Sequence, residues 1–298
     1  KGAADTRYFQ EAAMESRLRI PLLFGLDVIH GMRTVYPIPL AEAASFDLEL
    51  MERTAAAAAK EASSEGIHWT FAPMVDISRD ARWGRVMEGA GEDTWYGCRV
   101  AEARVRGFQG KSLADTTTIL ACAKHFAAYG ACIGGRDYNT ADISKLTLLE
   151  VYLPPFRAAL NAGVSTFMNA FNDVNGIPAT GNTYLLRELL KGEWNFGGFV
   201  VSDWNSVGEM INHGIVSDLK GAALRGTLAG CDMDMESHAY TSHLEELVKE
   251  GMIDEKYIDD AVRRILLKKF ELGLFDDPFR YCSEQRQQQI VLSQELKE

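Results

Sequence analysis

The sequence predicts an α/β chain built as a TIM-type (β/α)8 barrel, and three observations carry that prediction. Short apolar, β-branched runs alternate with helical patterns, which means a mostly parallel sheet. Nearly every such run ends on polar residues: Asp27, Asp76, Lys124-His125, Asn169 with Asn172, Asp203, and Asp234 with Glu236. A ring of polar groups at the carboxyl ends of strands is what a barrel enzyme needs. A nucleotide-binding doubly wound sheet would instead want a glycine-rich turn after its first strand. The only candidate, Glu88-Gly89-Ala90-Gly91-Glu92-Asp93, follows no strand, and its acidity would repel phosphate.

The elements follow in order. Residues 6–18 read as a helix, and 21–26 as a strand that ends on Asp27. Residues 47–65 form a long helix pattern, with Asp47 as cap, an alanine run at 55–59 and Gly66 closing it. A strand at 69–72 leads to Asp76, and a loop with Arg82-Trp83-Gly84-Arg85 precedes a helix at 93–108. A strand at 119–123 runs into Lys124-His125. Residues 143–161 are largely helical, with a break imposed by Pro154 and Pro155. A strand at 166–171, a helix at 183–193 and the strand 199–201 follow. A helix at 216–229, a strand-like stretch at 231–235, and helices at 243–251 and 255–272 close the pattern. That makes six strand–helix units where a closed barrel needs eight, so the barrel is expected to be incomplete in this chain. Its open edges, at the strands through 26 and 231, are expected to make it aggregation-prone alone.

The 298 residues carry a formal net charge of −11. An acidic surface argues against nucleic acid and anionic membrane as partners and is compatible with a neutral ligand. No apolar run is long enough to span a bilayer, and Lys1-Gly2-Ala3-Ala4-Asp5 holds no signal-peptide core. The five cysteines, Cys98, Cys122, Cys132, Cys231 and Cys282, are scattered and read as free thiols. The six histidines have no metal-ligand spacing, so neither a metal nor another cofactor is expected.

The stretch Phe199-Val200-Val201-Ser202-Asp203-Trp204 carries the most chemistry. A carboxylate at a strand end beside an aromatic ring suits a nucleophile that attacks a sugar carbon while the ring stacks on the neighbouring sugar. The competing reading is a helix cap. Glycoside hydrolysis needs two carboxyl groups and several groups to hold sugar hydroxyls. Asp203 suits the nucleophile. Asp27, Lys124, His125 and Arg85 suit the hydroxyls, and Trp204 offers a stacking face. Asp27 could equally cap the turn at Val28. Lys124 at the end of an apolar strand needs a reason, because Lys is rarely buried. Arg82 reads as an ion-pair partner of a nearby carboxylate, and Trp83, Trp95 and Trp194 read as core.

At these residues the chain resembles the barrel domain of glycoside hydrolase family 3, in particular its bacterial β-glucosidases. The motifs are Pro21 through Gly31; Phe71-Ala72-Pro73-Met74-Val75-Asp76 with Arg82-Trp83-Gly84-Arg85; Gly91-Glu92-Asp93; Lys124-His125-Phe126-Ala127; Asn175-Gly176 with Pro178; and Gly198 through Trp204. The resemblance runs from about residue 20 to Gly273-Leu274-Phe275 in the family order. It implies hydrolysis of terminal β-glucosyl residues by a retaining mechanism with Asp203 as nucleophile. It puts Asp27, Arg85, Lys124 and His125 around the sugar, adds Arg33, Arg136 and Met168 as wall residues, and sets Trp204 beside the leaving group.

Two departures matter. The family position that is often Tyr is Phe171 here, and the loop Ala127-Ala128-Tyr129-Gly130 lacks the His that one branch uses as proton donor. In the β-glucosidase branch that donor is a Glu in a second, α/β sandwich domain. The resemblance therefore implies a barrel domain at 1–280 and a linker at 281–298 toward that further domain of the same polypeptide. It also places the first two strands upstream of Lys1 and the protein in the periplasm or outside the cell. Glu88, Glu92 and Asp76 are the tempting carboxyls, and none is expected to be the acid. The expected partner is a small oligosaccharide or glucoside, and a homodimer is compatible with the sequence. Alternatives are a β-xylosidase of the same family, a sugar-binding barrel inactive on its own, and a lyase or aldolase using Lys124 as a Schiff-base residue.

Overall fold

Strand-like segments find one another in chain order. The computed structural model describes residues 2–297. Strand β1 (Gly25–Leu26) pairs in parallel with β2 (Trp69–Thr70). Trp69 bridges to Leu120 and Met74 to Lys124, which brings in β3 (Cys122–Phe126). β3 pairs with β4 (Thr166–Asn169), and β4 with β5 (Phe199–Val201), both in parallel. Val201 bridges onward to Met233. This is the succession of a parallel barrel wall. Among the described residues, no ladder joins its last member to its first.

Several expected strands are shorter than their apolar runs because side chains take ladder positions. The His68 ring accepts the Phe24 N–H at 3.1 Å, so regular pairing begins only at Gly25. Pro73 has no N–H to extend β2. At 231–235 the Asp232 carboxylate, paired with buried Lys191 at 2.5 Å, accepts the Val200 N–H at 2.8 Å. A side chain thus replaces a backbone acceptor, and only the bridge at Met233 remains.

The sheet has two apolar faces, as a barrel wall requires. Trp69, Leu120, Cys122, Met168, Phe199 and Val201 pack together on the inner face, with Leu272, Leu274 and Tyr281 against them. Ala121, Ala123, Phe167 and Val200 belong to the outer layer under the helices. The helices Leu48–Ser64 and Thr94–Gln109 are capped by Asp47 and Asp93, whose carboxylates accept from Leu50 N and Tyr96 N. Their close crossing uses the alanine run: a Cβ at Gly107 would lie 2.6 Å from Ala55 Cβ. Helix breaking at the prolines is also seen, since Pro154–Asn161 starts as a separate helix after Leu153.

One expectation changes. Trp83 is buried, but Trp95 is 71% exposed on the outer side of its helix rather than in the core. The polar stretch after Pro278 carries local structure of its own. Ser283 caps a helix at Glu284–Ile290, and Arg286 reaches Ser63 Oγ at 2.7 Å. Its polar run from Ser283 to Gln289 gives no apolar stripe, and the buried Tyr281, Cys282 and Leu296 lie on either side of it. All five cysteines are free. No described helix is long and apolar enough to cross a membrane.

Candidate active site

Regular alternation would turn Lys124 inward, His125 outward and Phe126 inward. The register shifts between Lys124 and Phe126: Lys124 faces Met168, but Phe126 faces Asn169, the next residue. Phe126 therefore packs outward against Phe156 and Phe167, with ring centroids 5.1 and 5.6 Å away. Both Lys124 and His125 are left for the carboxyl end of the wall.

Lys124 Nζ lies 3.1 Å from Asp27 Oδ1 and 3.9 Å from Glu88 Oε2. The ammonium is buried, whereas Asp27 is mostly exposed, which leaves that carboxylate open to further donors. Arg85 donates to Glu88 through Nε (2.7 Å) and Nη2 (3.1 Å), and its guanidinium sits 5.5 Å from the Tyr129 ring. Lys124 between two carboxylates is far from the apolar or cationic setting that frees an amine for Schiff-base chemistry.

His125 is held from behind. Asp76 Oδ2 accepts the His125 backbone N–H at 2.8 Å and lies 2.8 Å from its Nδ1. Burial pushes Asp76 up to about 7 and drives the imidazole well below its ordinary value. Both groups are thus biased to their neutral forms, and the ring presents Nε2 without adding positive charge. Nε2 has no hydrogen-bond partner and stands 3.6 Å from Asp203 Oδ2.

Asp203 is fixed by the turn after β5. Ser202 N donates to Met233 O at 2.8 Å, and Met235 N donates to Ser202 Oγ at 2.8 Å. The Trp204 N–H donates to Asp203 Oδ1 at 2.7 Å. Asp203 Oδ2 is buried and unpartnered. Burial raises the Asp203 carboxyl to about 6, although the Trp204 N–H, Lys124 and Arg85 all favour its charged form. One carboxylate oxygen is thus oriented and the other is left free beside the neutral His125 ring, in the field of Lys124 and Arg85, an arrangement that suits a nucleophile.

The other expected residues take distinct places. Met168 pairs with Lys124 and Val201 and forms part of the floor. The Trp204 side chain is 60% exposed beside Asp203, on the rim. Arg136 is exposed on the loop that also carries Tyr138. Arg33 is turned toward the helix Leu48–Ser64, where it bonds Glu65 through Nε at 2.9 Å. Arg82 pairs with Asp80 on the surface.

Sequence reasoning missed two contributors, Glu209 and Tyr138, and left the partners of two others open. Asp76 and Glu88 read as tempting carboxyls or as ion-pair partners of the arginines, and the structure shows Asp76 holding His125 and Glu88 holding Arg85. Glu209 was not singled out. Its carboxyl is raised by partial burial and by the charge of Asp203. Tyr138 was missed too, and its ring packs 4.3 Å from Phe171, the position without a hydroxyl. Neither Glu209 nor Tyr138 carries a local signal, since Glu209 ends the short helix Ser206–Glu209 and Tyr138 lies on a loop.

Comparisons with known proteins identify the family. A family model described as the glycosyl hydrolase family 3 N terminal domain matches residues 1–267. The chain is 45% identical over 278 residues to a periplasmic beta-glucosidase of Salmonella typhimurium, covering 93% of this chain and 36% of that protein. It is 37% identical to a putative beta-xylosidase of Formosa agariphila, covering 89% of this chain and 36% of the other. The beta-glucosidase from Listeria innocua in complex with glucose superposes with a TM-score of 0.96 at 45% identity, over 99% of this chain and 41% of that one. The chain thus spans well under half the length of these relatives. On the match over residues 1–267 and these identities, the chain belongs to glycoside hydrolase family 3.

Proposed function

We propose that this chain is the barrel part of an exo-acting, retaining β-glucosidase in which Asp203 attacks the anomeric carbon. The observation that carries this is the buried, unpartnered Asp203 Oδ2 beside the Lys124–His125 strand end. In the reaction, Asp27 accepts hydrogen bonds from ring hydroxyls, Lys124 and Arg85 donate to the same sugar, and His125 meets it through Nε2. Met168 closes the floor, and Trp204 stacks at the leaving-group side. Arg136 and, least directly, Arg33 complete the wall. Asp203 forms a glycosyl ester, which water then cleaves with retention.

The proton donor is assigned to a second domain of the same polypeptide, reached through the segment after residue 280. Glu88 is tied to Arg85, and Asp76 lies behind His125, so neither is free to protonate a leaving group. The open parallel wall supports the reading that the rest of the protein supplies two further strands to complete eight. The name of the Salmonella typhimurium relative supports a periplasmic or secreted location.

Three measurements test the reading. With Asp203 raised to about 6, protonation removes the nucleophile as pH falls. The free-enzyme kcat/KM should therefore drop about tenfold per pH unit below that value. A profile flat down to ~4, the ordinary carboxylate range, removes this claim. Aryl glucosides should be cleaved ~10-fold or more faster than aryl xylosides, from the extra hydroxymethyl contacts. The reverse order makes the enzyme a β-xylosidase, as the Formosa agariphila name suggests for that relative. Finally, a protein truncated after this chain, with the upstream strands kept, should be labelled at Asp203 by an activated fluoroglycoside yet fail on cellobiose, whose leaving group needs protonation. Cellobiose hydrolysis by that truncated protein would point to Glu209 as an internal acid.

A further inference from the structure

Glu61 lies on the helix Leu48–Ser64 and is fully buried, yet among the described residues no lysine or arginine side chain hydrogen-bonds to it. Its two oxygens take four donors. Oε2 accepts the Arg33 and Thr34 backbone N–H groups at 2.8 and 2.7 Å. Oε1 accepts the Thr34 hydroxyl at 2.8 Å and the Leu292 N–H at 2.9 Å. Only an acceptor-only group satisfies all four, because an amide would turn donors against donors on one side.

The donors come from two segments far apart in sequence. Thr34 belongs to a hairpin that begins three residues after Asp27. Gly31 and Val35 bridge there, and Tyr36 N donates to His30 O at 2.8 Å. Only glycine fits at Gly31, where φ is 120° and a Cβ would lie 2.0 Å from Thr34 O. Leu292 belongs to the segment after the helix Glu284–Ile290. It sits at φ 55°, a conformation disfavoured for leucine, with its side chain half exposed, so Glu61 and not side-chain burial holds it. A second tie runs parallel to the first: the Tyr36 hydroxyl donates to Leu296 O at 2.8 Å.

We propose that Glu61 is a positioning residue that locks the connecting segment at 292–296 to the hairpin of the sugar-binding Asp27, so that the two move as one body. This rests on the reading that the proton donor is delivered by a domain beyond that segment. The lock would then set the donor's placement relative to a sugar already gripped by Asp27. Position errors of about 1 Å at a catalytic group cost heavily in rate, so a lock of this kind has catalytic weight.

The test uses the intact enzyme and two variants, Glu61→Gln and Tyr36→Phe. The second removes one hydroxyl and keeps the fold safe if the first fails to fold. Cellobiose needs the donor, whereas dinitrophenyl β-glucoside does not. In Glu61→Gln, kcat/KM for cellobiose should fall ~10-fold or more while that for the dinitrophenyl substrate falls less than about threefold. Tyr36→Phe should shift the same ratio in the same direction by less. A merely structural role would lower both substrates together, in step with the melting temperature. Equal losses on both substrates, or an unchanged ratio in both variants, overturn the proposal. If instead the protein truncated after this chain still hydrolyses cellobiose, the external donor itself is refuted. A truncated protein inactive on cellobiose together with unchanged variant ratios sinks the lock alone.

Discussion

Asp203→Asn in the intact enzyme should lower kcat/KM for an aryl glucoside by ~10⁴-fold or more, equivalent to about 5.5 kcal/mol of lost transition-state stabilisation. The asparagine keeps the size of the side chain and keeps an oxygen for the Trp204 N–H at Oδ1. It removes the charge that attacks. Because burial already disfavours that charge, the melting temperature at neutral pH should stay level or rise. The loss must therefore appear in kcat without any sign of unfolding. A 2-deoxy-2-fluoro glucoside should trap the ester on Asp203 in the unmutated enzyme. Mass spectrometry that finds the label on any other residue removes Asp203 from the reaction.

Asp27→Ala should cost ~10²- to 10³-fold in kcat/KM, with kcat and KM both worsened. A site built to hydrogen-bond hydroxyls loses discrimination of that order when a partner is removed, and contacts to sugar hydroxyls strengthen in the transition state. The effect has a second source. Asp27 is the nearest carboxylate to the buried Lys124 ammonium at 3.1 Å, and Glu88 at 3.9 Å is already shared with Arg85. Removing Asp27 thus leaves a buried cation poorly compensated. A glucose complex should place Asp27 within hydrogen-bond reach of a sugar oxygen. If every sugar oxygen lies beyond about 6 Å from Asp27, its assigned role is wrong.

Parts of both arguments were legible before any coordinates. The run Phe199–Val201 between glycines and a polar turn marks a buried strand, and the structure ends that strand just before Asp203. Asp47 and Asp93 cap the helices where their spacing places them. The parallel order from β1 to Met233 follows from alternation alone. The extent of pairing did not, because His68 and Asp232 use side chains where a ladder would use backbone. Such substitutions depend on which residue from a distant segment faces the strand, and periodicity carries no record of that.

The sequence by itself determined the local facts: which stretches are apolar, where they stop, and which polar residue stands at each stop. That suffices for the class of fold and for Asp203, Asp27, Lys124 and His125 as residues on one rim. Tertiary structure decided how they act. The register shift in β3 turns His125 to the same side as Lys124, against strict alternation. Asp76 then fixes the imidazole, Glu88 secures Arg85, Arg33 turns to Glu65, and Glu61 joins two segments over two hundred residues apart. The physical reason is one of range. Burial and backbone preference are written in neighbouring residues, whereas charge pairing and hydrogen-bond satisfaction are settled only when remote side chains meet in a low-dielectric interior.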